Sequence, residues 1–128
     1  MPTRRAPAAG ADPDCAVWVD DDHEIEDGVR LEPCPGHTPG NVVIQVRSGA
    51  ARGVFSGDVL HSPLQLARPE WSSRACSDPR ASEASRRRFI ERHADTDHLV
   101  MPGHFLAPSV GRIVRDGNAF AFAPVGGG

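Results

Sequence analysis

The stretch Pro33-Cys34-Pro35-Gly36-His37-Thr38-Pro39-Gly40 decides the fold prediction. It holds three prolines and two glycines in eight residues, a density that excludes helix and strand and predicts a rigid loop. Within this loop, His37 is a candidate site residue, because an imidazole can bind a metal or transfer a proton near neutral pH. Cys34 has no base assigned to activate it, so it is interpreted as inert.

Segments with strand character flank this loop. Residues 29–32 alternate apolar and polar side chains, which is typical of a half-buried strand. Residues 41–47 are rich in β-branched side chains and predict the next strand. After a turn at residues 48–51, residues 52–56 predict the returning strand of a hairpin, which stops before Asp58.

Three residues, His37, Asp58 and His104, share one local design. Each follows a predicted strand and is immediately preceded by glycine, in Pro-Gly-His, Ser-Gly-Asp and Pro-Gly-His. Glycine allows a sharp bend, so three such bends can deliver their side chains to one cleft. Two imidazoles and a carboxylate suit Zn²⁺, Fe²⁺ or Mn²⁺. Taken singly, such a histidine is usually a surface residue and Gly-Asp is usually a turn, so the prediction depends on the three together.

The rest of the chain predicts one long helix and a C-terminal hairpin. Residues 59–78 are irregular, and Asp78 then caps a helix that ends near residues 93–95. The basic run at residues 86–88 is interpreted as a solvated face of this helix. A buried strand at residues 98–101 leads into His104, and a hairpin with an Asp-Gly turn follows over residues 111–122.

Two further side chains, those of His61 and Phe105, are secondary candidates. His61, three residues after Asp58, is a candidate substrate contact, with a structural histidine as the alternative. Phe105 is a candidate wall of a substrate pocket, with apolar packing as the alternative. His93 and His98 flank the predicted helix end and are interpreted as structural, because a cationic histidine there complements the helix dipole.

Composition predicts one small globular domain. The chain has 128 residues, 39% hydrophobic and 24% charged, which excludes disorder throughout. Residues 1–16, rich in Ala, Pro and Gly, predict a disordered arm. We expect the domain over residues 17–123 and a flexible tail over residues 124–128.

Charge and cysteine content argue against a nucleic-acid partner and favour a reducing compartment. The net charge of -3, without a basic stripe, argues against nucleic-acid binding. No apolar stretch approaches the roughly 18 residues that span a bilayer, and the start of the chain lacks the apolar core of a signal peptide. Three scattered cysteines favour the cytoplasm over a disulfide-forming compartment.

The three glycine-preceded motifs, in their order along the chain, resemble the metallo-β-lactamase superfamily. The likeness spans about residues 17–122, and residues 58–63 (Asp-Val-Leu-His-Ser-Pro) look most like its branch of lactonases and organophosphate hydrolases. The resemblance implies that His37 binds a first metal, that Asp58 bridges two metals, and that His104 binds the second.

The family signature His-x-His-x-Asp-His is missing from this sequence, where residues 20–23 (Asp-Asp-Asp-His) have similar residue types in another order. The family fold is a four-layer αββα sandwich of two similar halves, and the chain has about the length of one. The resemblance therefore implies an α+β fold, the C-terminal half of the sandwich, with a mixed or antiparallel sheet, one long helix and a C-terminal hairpin. It also implies an incomplete site for at most one ion, Zn or else Fe or Mn.

Three functions remain open at this point. The first is a metal-dependent hydrolase, in which activated water attacks a small ester, lactone or phosphoester and Asp58 is the catalytic residue. The second is a non-catalytic half-domain that pairs with a second copy or with a separate N-terminal half. The third is the product of a truncated reading frame without activity. The sequence leaves open whether the chain is an enzyme.

Overall fold

The computed structural model of the protein describes residues 15–125. Most of the predicted disordered arm, residues 1–14, and residues 126–128 of the predicted tail lie outside this range. The described chain forms strands β1 Glu24–Glu26, β2 Val29–Pro33, β3 Val42–Ser48, β4 Ala51–Gly57, β5 Leu99–Pro102, β6 Gly111–Asp116 and β7 Ala119–Pro124, with helices α1 Leu64–Ala67 and α2 Pro79–His93 between β4 and β5.

The strands form one mixed sheet in the order β1-β2-β3-β4-β5-β6-β7, which confirms the expectation of a mixed sheet. Only β4 and β5 pair in parallel among the described strands. The segment that contains α1 and α2 connects them, because parallel neighbours need a long crossover. The carboxyl ends of β4 and β5 therefore meet at one edge of the sheet, and Asp58 and His104 follow these two ends.

One face of the sheet forms the core with the helices. Val43, Val54, Val100 and Ile113 alternate along their strands toward this face and are fully buried. They pack with apolar side chains of both helices, namely Leu66, Phe89 and Ile90. Since this face is closed by the helices, it is the face that holds the fold together.

The opposite sheet face carries two apolar rows, which we call the open face. Leu31, Ile44, Phe55 and Met101 are cross-strand neighbours in the first row, and Val29, Val46, Gly53 and Leu99 form the second. Within residues 15–125, the buried side chains of both helices belong to the other face. Phe55 is consequently 46% exposed, and the other apolar side chains of these rows are only partly buried.

Arg86 corrects the prediction of a solvated basic face. Its side chain is completely buried in α2 and donates to the carbonyl oxygens of Val59, Pro69 and Trp71 and to Ser82 Oγ. The irregular segment that follows β4 has carbonyl groups without a helix or sheet to pair them, and the guanidinium supplies the donors. Arg86 thereby fastens this segment to α2.

His93 corrects a second part of the sequence interpretation. The side chain is 1% exposed, and burial lowers its pKa to about 4. A neutral histidine cannot complement the helix dipole as a cation, so that reason for its position was wrong. His93 instead packs against Phe89, and its Nδ1 lies 3.0 Å from Nδ1 of His98.

Two short elements, β1 and α1, were missed from the sequence. β1 has three exposed residues at the edge of the sheet, and α1 is a single turn that begins after Pro63. Neither is long enough to show a period. No helix in residues 15–125 combines the length and the apolar character needed to cross a bilayer.

Candidate metal centre

The loop between β2 and β3 presents His37 at the edge where β4 and β5 end. Asn41 closes the loop, because its side chain donates to the Cys34 carbonyl at 2.8 Å while its own carbonyl accepts from Cys34 N at 2.8 Å. The loop also packs against the start of α2, where Asp78 N donates to the Gly36 carbonyl at 2.9 Å. These bonds fix the backbone that carries His37.

Gly36 is required by this close approach. Its φ is +139°, and a Cβ built on it would lie 2.1 Å from Ser82 N in the first turn of α2. No other residue type fits that space, and the positive φ adds strain for any side chain. The glycine before His37 therefore serves the contact with α2, a role that the sequence pattern did not indicate.

Asp58 is the centre of a group of three imidazoles. His104 Nε2 lies 2.6 Å from Asp58 Oδ1, His37 Nε2 lies 3.7 Å from Oδ2, and His61 Nε2 lies 3.7 Å from Oδ1. The His61 ring is stacked on His104 with centroids 4.7 Å apart, and it lies 4.8 Å from the His37 ring. The structure thus brings the three sequence-predicted residues together and adds His61.

The charges in this group are set by its own contacts. The hydrogen bond from His104 lowers the pKa of Asp58, and the nearby histidines lower it further, so Asp58 is ionised at neutral pH. Burial lowers the pKa of His61, and the adjacent His104 and His37 act in the same direction. His61 is therefore neutral, which is the form in which imidazole binds a metal or accepts a proton.

A metal ion fits three of these residues. Ligand atoms of His37, Asp58 and His61 all lie within 4.8 Å of one another. Two imidazoles with one carboxylate are a common donor set for Zn²⁺ and related ions. The set predicted from sequence, with His104 in place of His61, shares two members with this group and remains a prediction.

Gln65 holds the backbone of His61 and was not found from the sequence. Its Oε1 accepts from His61 N at 2.6 Å, and its Nε2 donates to the Trp71 carbonyl at 2.9 Å. Gln65 lies in α1, so its position near the site could not be inferred while that helix was missed. It is buried, which keeps both hydrogen bonds away from competing water.

A cavity of about 430 Å³ opens beside the histidines. His61 and His104 form its polar side, and Phe105, Leu106 and Phe122 contribute apolar walls. Phe105 is also packed on the core and meets Phe122 edge to face at 5.0 Å. The secondary candidates His61 and Phe105 thus both line this cavity.

Cys34 is a poor nucleophile at neutral pH. Burial raises the pKa of its thiol to about 11. The thiolate, which is the nucleophilic form, is therefore scarce at neutral pH.

Comparison with known proteins gives matches to one family and to several solved structures. AidC, a dizinc quorum-quenching lactonase solved with a product, superposes with a TM-score of 0.75 at 26% identity. The hydrolase AbOPH of the β-lactamase superfamily gives a TM-score of 0.74 at 24% identity. The alignments cover 83% and 81% of this chain, yet each covers only 36% of the other protein. The curated proteins include no match.

The family model is decisive. The model of the metallo-β-lactamase superfamily matches residues 4–104, which is most of the chain and includes His37, Asp58, His61 and His104. The mixed sheet and the histidines around Asp58 agree with that match. The chain belongs to the metallo-β-lactamase superfamily.

Proposed function

We propose that the chain holds a single divalent metal ion beside Asp58 and takes part in hydrolysis of a small ester, lactone or phosphoester. The observation that carries this proposal is the group of His37, Asp58 and His61, whose ligand atoms lie within 4.8 Å of one another. When bound, such an ion acts as a Lewis acid and makes water nucleophilic near neutral pH. Zn²⁺ is the first choice, with Fe²⁺ or Mn²⁺ as alternatives.

The protein side chains then divide the remaining tasks. Asp58, kept ionised by its neighbours, contributes a negative ligand and orients the histidines around it. Neutral His61 contributes a lone pair. His104 Nε2, which lies against Asp58 Oδ1 and borders the cavity, is the group placed to give a proton to a leaving oxygen.

The cavity supports a substrate with an apolar substituent. Phe105, Leu106 and Phe122 line it next to the two histidines. An ester or lactone whose acyl part enters this cavity brings its carbonyl close to His61 and His104. AidC, which acts on a lactone, supports the choice of an acyl compound over a phosphoester.

Calorimetric titration of the purified, metal-free chain with Zn²⁺ tests the site. We expect one ion per chain, with binding lost in His37→Ala, Asp58→Asn and His61→Ala. His23→Ala is the matched control, because His23 is exposed and takes no part in the group. His104→Ala should weaken binding without abolishing it, whereas the ligand set predicted from sequence requires complete loss. Absence of any stoichiometric binding in the unaltered chain would refute the proposal.

A second candidate function, a half-domain that needs a partner, is favoured by the open face. Two adjacent apolar rows lie side by side across β2–β5, and a contiguous apolar patch of this kind marks an interaction surface. The solved relatives are also much longer, since this chain accounts for 36% of their length. We infer that residues 17–123 form a domain equivalent to half of an αββα sandwich. A complementary N-terminal half, or a second copy of the chain, then covers its open face.

Light scattering over a range of concentrations tests this candidate. The chain has a mass of 13.7 kDa, so a second copy on the open face would give a species of twice that mass. A purified chain that stays monomeric and binds no hydrophobic dye would contradict the proposal that the open face is a docking surface. A monomer that binds the dye strongly would instead favour a separate N-terminal half.

A further inference from the structure

We propose that Cys76 is a positioning residue that fixes the orientation and the tautomer of His37. Its Sγ lies 3.7 Å from His37 Nδ1, on the opposite side of the ring from Nε2. Nε2 is the atom directed at Asp58. A histidine that binds a metal through one nitrogen usually has the other nitrogen bonded to a fixed partner. The consequence for metal binding rests on the function proposed above, but the tautomer does not.

The buried Arg86 fixes the direction of the hydrogen bonds that lead through Ser82 and Cys76 to His37. Arg86 Nη2 lies 2.9 Å from Ser82 Oγ, and Arg86 can only donate. The Cys76 thiol donates to the same Ser82 oxygen at 3.6 Å. With its single proton used in this way, the sulfur offers lone pairs to His37. The ring proton of His37 then resides on Nδ1, and Nε2, which at 3.7 Å is beyond hydrogen-bond distance of Asp58 Oδ2, keeps a free lone pair.

Burial makes this relay rigid. Arg86 and Ser82 are 0% and 2% exposed, so neither exchanges its partner for water. The backbone next to Cys76 is tied to the same histidine, because Ser77 N and Ser77 Oγ both donate to the His37 carbonyl at 3.0 Å. The Cys76 thiol is thus held against the His37 ring by Ser82 on one side and by the backbone at Ser77 on the other.

The closing experiment measures the tautomer directly. Long-range ¹H–¹⁵N spectra of the metal-free chain at pH 8 distinguish a protonated Nδ1 from a protonated Nε2. We expect Nδ1 protonation for His37 in the unaltered chain and in Cys15→Ala, the matched control at an exposed cysteine. Cys76→Ala should give a mixture of tautomers, and Cys76→Ser, which keeps a shorter donor and acceptor, should restore most of the Nδ1 form. His37 protonated on Nε2 in the unaltered chain would overturn the proposal.

The Zn²⁺ affinity supplies a second, separable readout. Loss of such a supporting contact typically costs about 10- to 100-fold in metal affinity, so Cys76→Ala should bind at least about tenfold more weakly than Cys15→Ala. Should Cys76→Ala fail to fold, Cys76→Ser carries the comparison, with a smaller loss expected. Equal affinities together with an unchanged tautomer would reject the role of Cys76. A chain that shows the expected tautomers but binds no Zn²⁺ would reject only the metal-dependent function.

Discussion

Gly36 shows how one residue controls the approach of the His37 loop to α2. Replacement by alanine places a Cβ 2.1 Å from Ser82 N and demands a positive φ of a residue with a side chain. We expect Gly36→Ala to lower the free energy of unfolding by roughly 2–4 kcal/mol, from strain and overpacking together. Urea unfolding measures this. Gly40→Ala, where a Cβ meets nothing within 4 Å, is the control and should change stability little. Equal effects at the two positions would show that the close packing is not needed.

His93 gives the protein a predictable sensitivity to acid. Its pKa is about 4 in the folded protein, mainly because burial disfavours the charged ring, with His98 and Arg92 adding positive charge beside it. The unfolded chain takes up the proton near the ordinary histidine pKa of about 6.5, so it binds more protons than the folded chain at intermediate pH. Stability is therefore present above about pH 6.5 and is lost as the pH falls toward 4.

The expected size of this loss is on the order of 2 kcal/mol between pH 7.5 and pH 5. Urea unfolding at pH 7.5 and at pH 5 gives this loss for each variant. Between these pH values, the free energy of unfolding of His93→Leu should fall by about 2 kcal/mol less than that of the unaltered chain, whatever the absolute stability of the variant. His23→Leu, at an exposed histidine, should retain the full pH dependence. The same pH dependence in His93→Leu and in the unaltered chain would mean that His93 is not the titrating group.

At the scale of elements, Arg86 makes α2 and the segment after β4 one unit. Lysine has a single ammonium group and cannot reach the carbonyls of Val59, Pro69 and Trp71 together. We expect Arg86→Lys to lower the free energy of unfolding by about 3 kcal/mol, because buried acceptors lose their donors. Arg87→Lys, an exposed neighbour on the same helix, should stay within roughly 0.5 kcal/mol in the same unfolding assay. If both variants unfold alike, the buried guanidinium does not hold the two elements together.

The elements that sequence reasoning could find are those with a local signal. Asp78 marked the start of α2, alternation marked β2, β-branched side chains marked β3, and the turn after β3 marked β4 as the returning strand. The single turn of α1 has no period to detect, and the burial of Arg86 depends on carbonyls far away in the chain. The basic run at residues 86–88 was therefore interpreted as solvated, although Arg86 is buried and pairs with these carbonyl groups.

The candidate site follows the same division. His37, Asp58 and His104 could be predicted to converge, because each comes after a glycine at a strand end. The contact between Cys76 and His37 joins residues 39 positions apart, and nothing in the sequence around Cys76 indicates it. His61 stood out by its spacing from Asp58, but its place among possible ligands depended on the loop geometry that Gln65 maintains.

At the scale of the whole molecule, the open face is the surface through which we expect the protein to associate. Phe55 lies in the first apolar row between Ile44 and Met101 and is 46% exposed. Phe55→Gln should reduce dye binding and any concentration-dependent association, since it interrupts the row at its most exposed point. Light scattering and dye fluorescence measure the change. The control Leu64→Gln removes an exposed apolar side chain outside the open face. Should both variants behave alike, general surface hydrophobicity and not the open face drives association.

The edge strand β1 sets a limit on how such association can grow. Glu24 and Glu26 stand on this strand, and its pairing with β2 slips out of register between them. Acidic side chains and an irregular ladder make a poor template for another strand, so the sheet resists extension through its backbone at this rim. Two copies that pack through their apolar open faces form a dimer in which neither open face remains free for a third copy. If copies associate through the open face, we expect closed pairs, and we expect no growth of the sheet through the backbone of β1.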